Sequence, residues 1–388
     1  MEKLQTCALA RHGRALSELL AKPHRGNLIF KQWHSVLKTK AQNTTNSSTG
    51  NVSYNQEIAR FKGPVKESDL DAVRAALSAP APVQELKEGW EIPIVDLAQL
   101  RHSARSDAIR NQIRRACEEW GFFYVINHGI PEQVFSDMWE AYHALFQLPV
   151  ENRTNFDCGP FIPPDILKKL NEKREEMKKY ADYRDTIRLQ NLNPDDESGT
   201  IASCPQFFRR PASNFYKALR NVGFELLEAM SESLGVRGDY LYNVTGENNA
   251  INSSLHFYSP DIDGNKNMGL NPHKDILTLT VLVQDDTGGL QVLKEDRWVD
   301  VKPFPGSLVV NVGEAIQAIT NGKYKSVLHR VLNNPTKTRS SISCFLIPTP
   351  DSKIEPIPDL VNEENPALYP TSTWKTFVYN HYALALKF

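Results

Sequence analysis

From Leu255 onward the chain is a succession of short β-forming runs broken by Gly, Pro and Asp, and this succession limits the fold more than any other feature. Residues 277–283 alternate as Leu-Thr-Leu-Thr-Val-Leu-Val, and further runs fall at 289–293, 298–301, 307–312, 325–331 and 339–347. Many short strands at such spacing predict a sandwich or a barrel. Two Greek keys forming a double-sheet jelly roll fit best, because they bring strands distant in sequence to one mouth. Upstream, Phe215, Leu219, Val222, Leu226, Leu227, Met230 and Leu234 form one helical stripe, opened by Ser213 and stopped by Gly235. Such a stripe is core, and it predicts a helix that backs the sheet. The fold class expected is mainly β with flanking helices, a double-stranded β-helix joined to an α-rich N-terminal subdomain.

Within the β region, Asn271-Pro272-His273-Lys274-Asp275 sets an imidazole and a carboxylate two residues apart. On a strand both side chains leave the same face, so they can fill two positions on a metal. His329 lies about fifty residues on and can add a third ligand from a neighbouring strand. Two His and one carboxylate on one side of a metal leave the opposite positions open. That set suits a non-haem Fe(II) that binds a co-substrate and O₂ together. The same groups could hold zinc, or sit as satisfied polar residues in a barrel that binds nothing. Arg339, ten residues past His329, has room to begin the next antiparallel strand. Its guanidinium can take a carboxylate through two parallel hydrogen bonds, with the Ser341 hydroxyl adding a third. The expected ligand is a dianion with one end on the metal and the other on Arg339.

His-x-Asp, a later His and Arg-x-Ser, in that order, resemble the Fe(II)/2-oxoglutarate-dependent dioxygenases of the isopenicillin N synthase-like superfamily. The intervening text looks like their plant-type branch: Gly288-Gly289-Leu290-Gln291-Val292, Trp298-Val299-Asp300-Val301, 305–313 and 321–330. Gly121-Phe122-Phe123-Tyr124-Val125-Ile126-Asn127-His128-Gly129 is similar to the N-terminal region of the same branch. The resemblance implies Fe(II) on His273, Asp275 and His329. It implies 2-oxoglutarate chelating that iron and pairing its distal carboxylate with Arg339 and Ser341, and O₂ in the last position. Succinate and CO₂ would form while a small organic metabolite is hydroxylated or desaturated, with ascorbate as reductant.

Leu255-His256-Phe257-Tyr258-Ser259-Pro260 stands where plant-type members carry Asn-Tyr-Tyr-Pro, so the match makes Tyr258 a hydroxyl donor to 2-oxoglutarate. His256 departs from the usual Asn; it either hydrogen-bonds the co-substrate in its place or is a polar residue of the core. Gln317 matches a position that can face substrate in relatives, whereas Phe123 and Phe345 are more simply core. Relatives act on flavonoids, gibberellin-type diterpenoids, auxin, alkaloids and other small acids or phenolics, and nothing in the strands names one. The ascorbate-dependent 1-aminocyclopropane-1-carboxylate oxidases also keep Arg-x-Ser, but they end in a basic-acidic helix that 374–388 do not show. A non-catalytic binding module on this barrel should have lost a ligand, and all three are present.

At 388 residues and a net charge of −1, the chain has length for a sizeable core and no general pull toward nucleic acid or an anionic membrane. No apolar run approaches a membrane span. The five scattered cysteines form no Cys-x-x-Cys and predict reduced thiols. A cytoplasmic monomer acting on a small molecule is the expectation. Residues 1–60 read as a disordered extension; low acid content and several Lys and Arg in 1–50 are also compatible with a transit peptide. A short helix carrying Leu70, Val73 and Leu77 precedes a break at Ala79-Pro80-Ala81-Pro82. The body then divides into an N-terminal subdomain over 90–212, a jelly-roll core over 213–350 and a tail over 351–388 that closes over the core. The N-terminal subdomain holds a strand at 92–97, a helix from Ser106, a strand at 122–126 and a helix from Pro131. His128 reads as a turn histidine bonded to backbone. Residues 150–212 read as a polar insertion in which 181–188 look like a strand entry; its Arg184 or Arg188 could reach a substrate carboxylate, although a surface ion pair with a nearby Asp is the favoured reading.

Overall fold

The computed structural model describes residues 91–101, 106–153, 183–196, 199–245, 251–261 and 268–385, with Asp165, Lys168 and Gly264. The N-terminal extension over 1–60, its transit-peptide alternative and the helix around Leu70 lie outside the described residues.

Helices form where apolar residues recur at helical spacing. The first long one, α1 (Ser106–Glu119), buries Ile113, Ala116 and Cys117. The second, α2 (Glu132–Gln147), buries Met138, Ala141, Tyr142 and Leu145. The longest, α3 (Gln206–Ser233), carries the predicted stripe but starts seven residues before Ser213 and contains Pro211. Ser213 therefore caps nothing. Its hydroxyl donates to the carbonyl of Pro194 at 2.5 Å. Two further helices are α4 (Glu314–Ile319) and α5 (Trp374–Ala385).

Strands β1 (Ile94–Asp96), β2 (Phe122–Ile126), β3 (Asp185–Leu192) and β4 (Ile251–Tyr258) precede the predicted β region or open it. They are followed by β5 (Met268–His273), β6 (Leu279–Gln284), β7 (Leu290–Lys294) and β8 (Arg297–Asp300). The last strands of the two main sheets are β9 (Leu308–Val312), β10 (His329–Leu332) and β11 (Arg339–Leu346). Seven strands form one sheet in the order β1-β2-β9-β6-β11-β4-β3, and four form a second in the order β5-β10-β7-β8. Apart from the parallel β1–β2 pair, every pairing in these sheets is antiparallel. This is the double-stranded β-helix with flanking helices that the spacing predicts.

Strand alternation gives the large sheet two different faces. Outward, Leu255, Val281, Val283, Val310, Ile342 and Leu346 join Leu219, Leu226 and Leu227 of α3 in the main core. The approach is close: a Cβ on Gly223 of α3 would lie 2.8 Å from the Leu346 side chain. Inward, Phe122, Tyr124, Leu282 and Val309 pack against Leu270, Leu290, Val292, Val299 and Val331 of the small sheet. The rest of the inward face is polar, and it holds the site.

The strand entry read within the polar insertion becomes β3, an eight-residue edge strand of the main sheet. Residues 325–328 are not strand; β10 begins only at His329. The tail forms helix α5, whose Trp374, Val378 and Tyr382 are buried in the main core. Cys117, Cys204 and Cys344 are buried free thiols. Among the described residues no helix is long and apolar enough to cross a membrane.

Candidate metal centre and co-substrate site

His273 ends β5 and His329 opens β10, and the two are directly paired in the register. Their rings lie 4.2 Å apart between centroids. Asp275 reaches them by another route than the one predicted: β5 stops at His273, so strand alternation does not place the carboxylate. The chain leaves the sheet to meet the start of α4. The amides of Glu314 and Ala315 donate to the carbonyls of Asp275 and Ile276 at 2.7 and 3.1 Å, and Gly313 donates to Thr278 at 2.9 Å. Only glycine permits this, since a Cβ at 313 would fall 1.8 Å from the Leu277 carbonyl oxygen.

Asp275 is then oriented by two residues that the motif does not contain. Thr280 Oγ1 and Asn311 Nδ2 donate to its Oδ2 at 2.6 and 2.8 Å. Its Oδ1 faces Nε2 of His273 at 3.5 Å and Nε2 of His329 at 3.7 Å. Each imidazole is fixed from behind: Nδ1 of His273 meets the Asn271 carbonyl at 2.8 Å, and Nδ1 of His329 meets the Val327 carbonyl at 3.2 Å. A carbonyl can only accept, so Nδ1 carries a proton, and a neutral ring so fixed presents its lone pair at Nε2. The edge of Phe122 packs on the His329 ring, at 5.2 Å between centroids.

Protonation follows from burial and charge. Burial and the neighbouring His273 push His329 down to about 4, so it is neutral at pH 7. Burial opposes ionisation of Asp275, but His329, His273 and the Thr280 hydroxyl outweigh it and hold the carboxyl below its usual range. Three lone-pair donors, one from each residue, thus lie within 4.8 Å of one another. Such a cluster repels itself unless a cation lies among it, and neutral imidazoles with an ionised carboxylate are the forms that ligate metal. The donor set fits an iron or zinc of the kind the sequence implies.

Arg339 begins β11 and is 1% exposed. Its NH1 donates to Ser341 Oγ at 3.1 Å and its NH2 to Gln284 Oε1 at 2.9 Å, while its guanidinium lies 4.8 Å from the centre of the Tyr258 ring. Register explains the grouping: Arg339 is opposite Tyr258, and Ser341 is opposite both His256 and Gln284. Arg339 Nε is buried with no hydrogen-bond partner among the described residues, which fits an anionic ligand that arrives there.

His256 is buried between strands. Thr186 Oγ1 lies 2.9 Å from its Nδ1, and Arg184 NH1 lies 2.6 Å from Nδ1 and 3.2 Å from Nε2. Burial first, then Arg184, Arg188 and Arg339, hold its pKa well below the ordinary value, so it is a neutral acceptor. Arg184 and Arg188 are not a surface pair as expected: Arg188 is 7% exposed, and both line a cavity of about 120 Å³ beside His273 and Asp275. The signal was the alternation Arg184, Thr186, Arg188 against Ile187 and Leu189. Phe345 also lines this cavity, whereas Phe123 is core. Gln317 does not face it; its amide donates to Tyr369 Oη at 2.8 Å and accepts from the Ser326 amide at 2.8 Å. His128 Nδ1 accepts from the Ile130 amide at 3.1 Å, in the turn as read.

Residues 248–348 match the family model of the 2OG-Fe(II) oxygenase superfamily, and 92–211 match that of the non-haem dioxygenase in morphine synthesis N-terminal region. The chain is 35% identical to Protein DMR6-LIKE OXYGENASE 1 of Arabidopsis thaliana, over 73% of this chain and 80% of that protein. It is 33% identical to Flavanone 3-dioxygenase 2 of Oryza sativa subsp. japonica, over 74% and 82%. Among solved structures, JOX2 in complex with 2OG, Fe and JA superposes with a TM-score of 0.65 at 28% identity, covering 89% of this chain and 96% of that one. The chain belongs to the 2OG-Fe(II) oxygenase superfamily, in its plant-type branch. It is an Fe(II)- and 2-oxoglutarate-dependent dioxygenase, an oxidoreductase of small organic molecules.

Proposed function

We propose that His273, Asp275 and His329 hold the iron, that Arg339 and Ser341 bind the distal carboxylate of 2-oxoglutarate, and that Tyr258 helps to seat it. The observation that carries this reading is the convergence of three lone-pair atoms within 4.8 Å, each aimed by a hydrogen bond from behind. Iron and 2-oxoglutarate, once bound with O₂, supply oxidation of a substrate C–H bond coupled to formation of succinate and CO₂. The protein's part is to aim and to shield. Thr280 and Asn311 turn the second carboxylate oxygen of Asp275 away, leaving the first for the metal. Gln284 and Ser341 hold the Arg339 fork flat for a bidentate contact. Tyr258, 1% exposed, covers the face of that guanidinium and keeps water from it; the Tyr142 hydroxyl donates to the His256 carbonyl at 2.5 Å and braces the same strand.

The substrate is a small specialised metabolite or hormone that is hydroxylated or desaturated, with ascorbate keeping the iron reduced and the enzyme working as a cytoplasmic monomer. The organisation that goes with it is an N-terminal subdomain over 90–212, a core over 213–350 and a tail over 351–388. Supporting this division, the N-terminal family match ends at residue 211 and the second begins at 248, and α5 supplies Tyr382 to the cavity wall. The test is anaerobic addition of Fe(II) and 2-oxoglutarate to the purified protein. A weak metal-to-ligand charge-transfer band, absent in His329→Ala, is expected; stoichiometric iron binding without the band would instead favour the ascorbate-dependent oxidase chemistry.

A further inference from the structure

The cavity beside the metal ligands has an unequal charge. Among the described residues that line it are three cations, Arg184, Arg188 and Lys274, and a single carboxylate, Asp275, which belongs to the metal cluster. Arg339 is not part of this lining, so the cations here are distinct from the co-substrate arginine. Arg188 stands on the inward face of β3 opposite Ser254, one alternation from the Thr186–His256 pair. Arg184 is aimed by His256, whose neutral ring takes a hydrogen bond from the guanidinium without cancelling its charge. The remaining wall includes Leu270, Ile276, Leu277, Phe345 and Tyr382, which offer apolar and aromatic surface. A cationic end and an apolar body describe a pocket for an amphipathic anion. Its volume, about 120 Å³, is on the scale of the roughly 150 Å³ cavity that accepts one benzene ring.

We propose that Arg188, with Arg184 and Lys274, receives a carboxylate of the organic substrate, so that this dioxygenase acts on a small carboxylic acid with an apolar body. The inference rests on the iron and 2-oxoglutarate assignment made above. The carboxylate is bound, not transformed: a charge-assisted pair with a strand-mounted guanidinium fixes one end of the molecule and thereby which carbon faces the metal ligands.

The probes are phenylacetate and its neutral counterpart phenylacetamide, titrated anaerobically into the full chain loaded with Fe(II) and saturating 2-oxoglutarate, with the charge-transfer band as readout. Saturating 2-oxoglutarate keeps Arg339 and the chelating positions occupied. Phenylacetate is expected to bind at least about tenfold more tightly than the amide. Arg188→Gln should raise its Kd by about ten- to a hundredfold and bring it level with the amide, and Arg188→Lys should keep part of the preference. Equal affinity of the wild type for both probes overturns the proposal. So does an Arg188→Gln protein that loses both to the same extent, as a purely structural role would produce. Should that variant fail to fold, the wild-type ratio and Arg184→Gln decide. Absence of the band in the wild type would condemn the iron assignment itself, whereas a band without carboxylate preference condemns only this inference.

Discussion

The two faces of the seven-stranded sheet share every backbone hydrogen bond and differ in everything else. Along β11, Ile342, Cys344 and Leu346 point out to α3, while Arg339, Ser341 and Ser343 point in. The outward set is held by area removed from water, which tolerates shape changes at a graded cost. The inward set is held by directional pairs, Thr280 and Asn311 on Asp275 and Gln284 on Arg339, in which one lost atom leaves a buried partner exposed to the full desolvation penalty. One strand can thus keep fold and chemistry separate simply by its period of two.

Substitutions on either side should separate accordingly. Asp275→Ala is expected to abolish iron binding and succinate release and to lower the melting temperature, because the buried Thr280 hydroxyl and Asn311 amide lose their acceptor; iron content and calorimetry check both halves. Ile342→Ala, one residue from Ser341 but on the other face, should lower unfolding free energy by about 2–5 kcal/mol in urea titrations while the iron content of folded protein stays full. If Ile342→Ala stripped the iron, the separation of faces would be wrong. Arg339→Lys keeps the charge but not the fork, and should weaken 2-oxoglutarate by about ten- to a hundredfold in titrations of the charge-transfer band. Thr280→Val removes one of two donors to Asp275 Oδ2 and should lower iron affinity by about tenfold and unfolding free energy by about 1–3 kcal/mol.

The smallest effect concerns acid. His256 and His329 are buried as neutral rings with pKa values below the ordinary 6.5, the latter at about 4. Below pH 6.5 the unfolded chain takes up protons that the folded apo-protein refuses, so stability falls as pH drops, by at most about 1.4 kcal/mol per pH unit for each ring. Urea titrations of apo-protein between pH 7 and 5 should show this slope, and His256→Asn should flatten it.

Most of the barrel was legible because β-branched runs between turn residues have few other uses: β7, β8, β9 and β11 fall within a residue or two of their expected positions. The ligand spacing likewise pointed to three residues that do converge. What escaped was decided by tertiary contact. Asp275 leaves its strand because the start of α4 takes its carbonyl, and Gly313, far along the sequence, makes that possible. Arg188 of β3 read as a surface residue because a sheet interior rarely holds Arg unless it encloses a polar site. Helix α3 runs through Pro211 to an earlier start because the buried Phe208 and Ala212 anchor its first turns.

The pairing of β5 with β10 has a mechanical consequence. His273 lies opposite His329, and directly beyond that point the ladder slips twice, at His329/Val331 and at Val331/Leu332. A ladder so interrupted is a weak guide to its own alignment, and sliding by one residue would turn an imidazole to the opposite face. A cation gripped by both rings would act as a rivet at the one regular point, so that the reagent of the chemistry also gauges the assembly of the barrel. With iron on these two rings, chains misaligned in the small sheet would not load it, and loaded chains would not drift out of line.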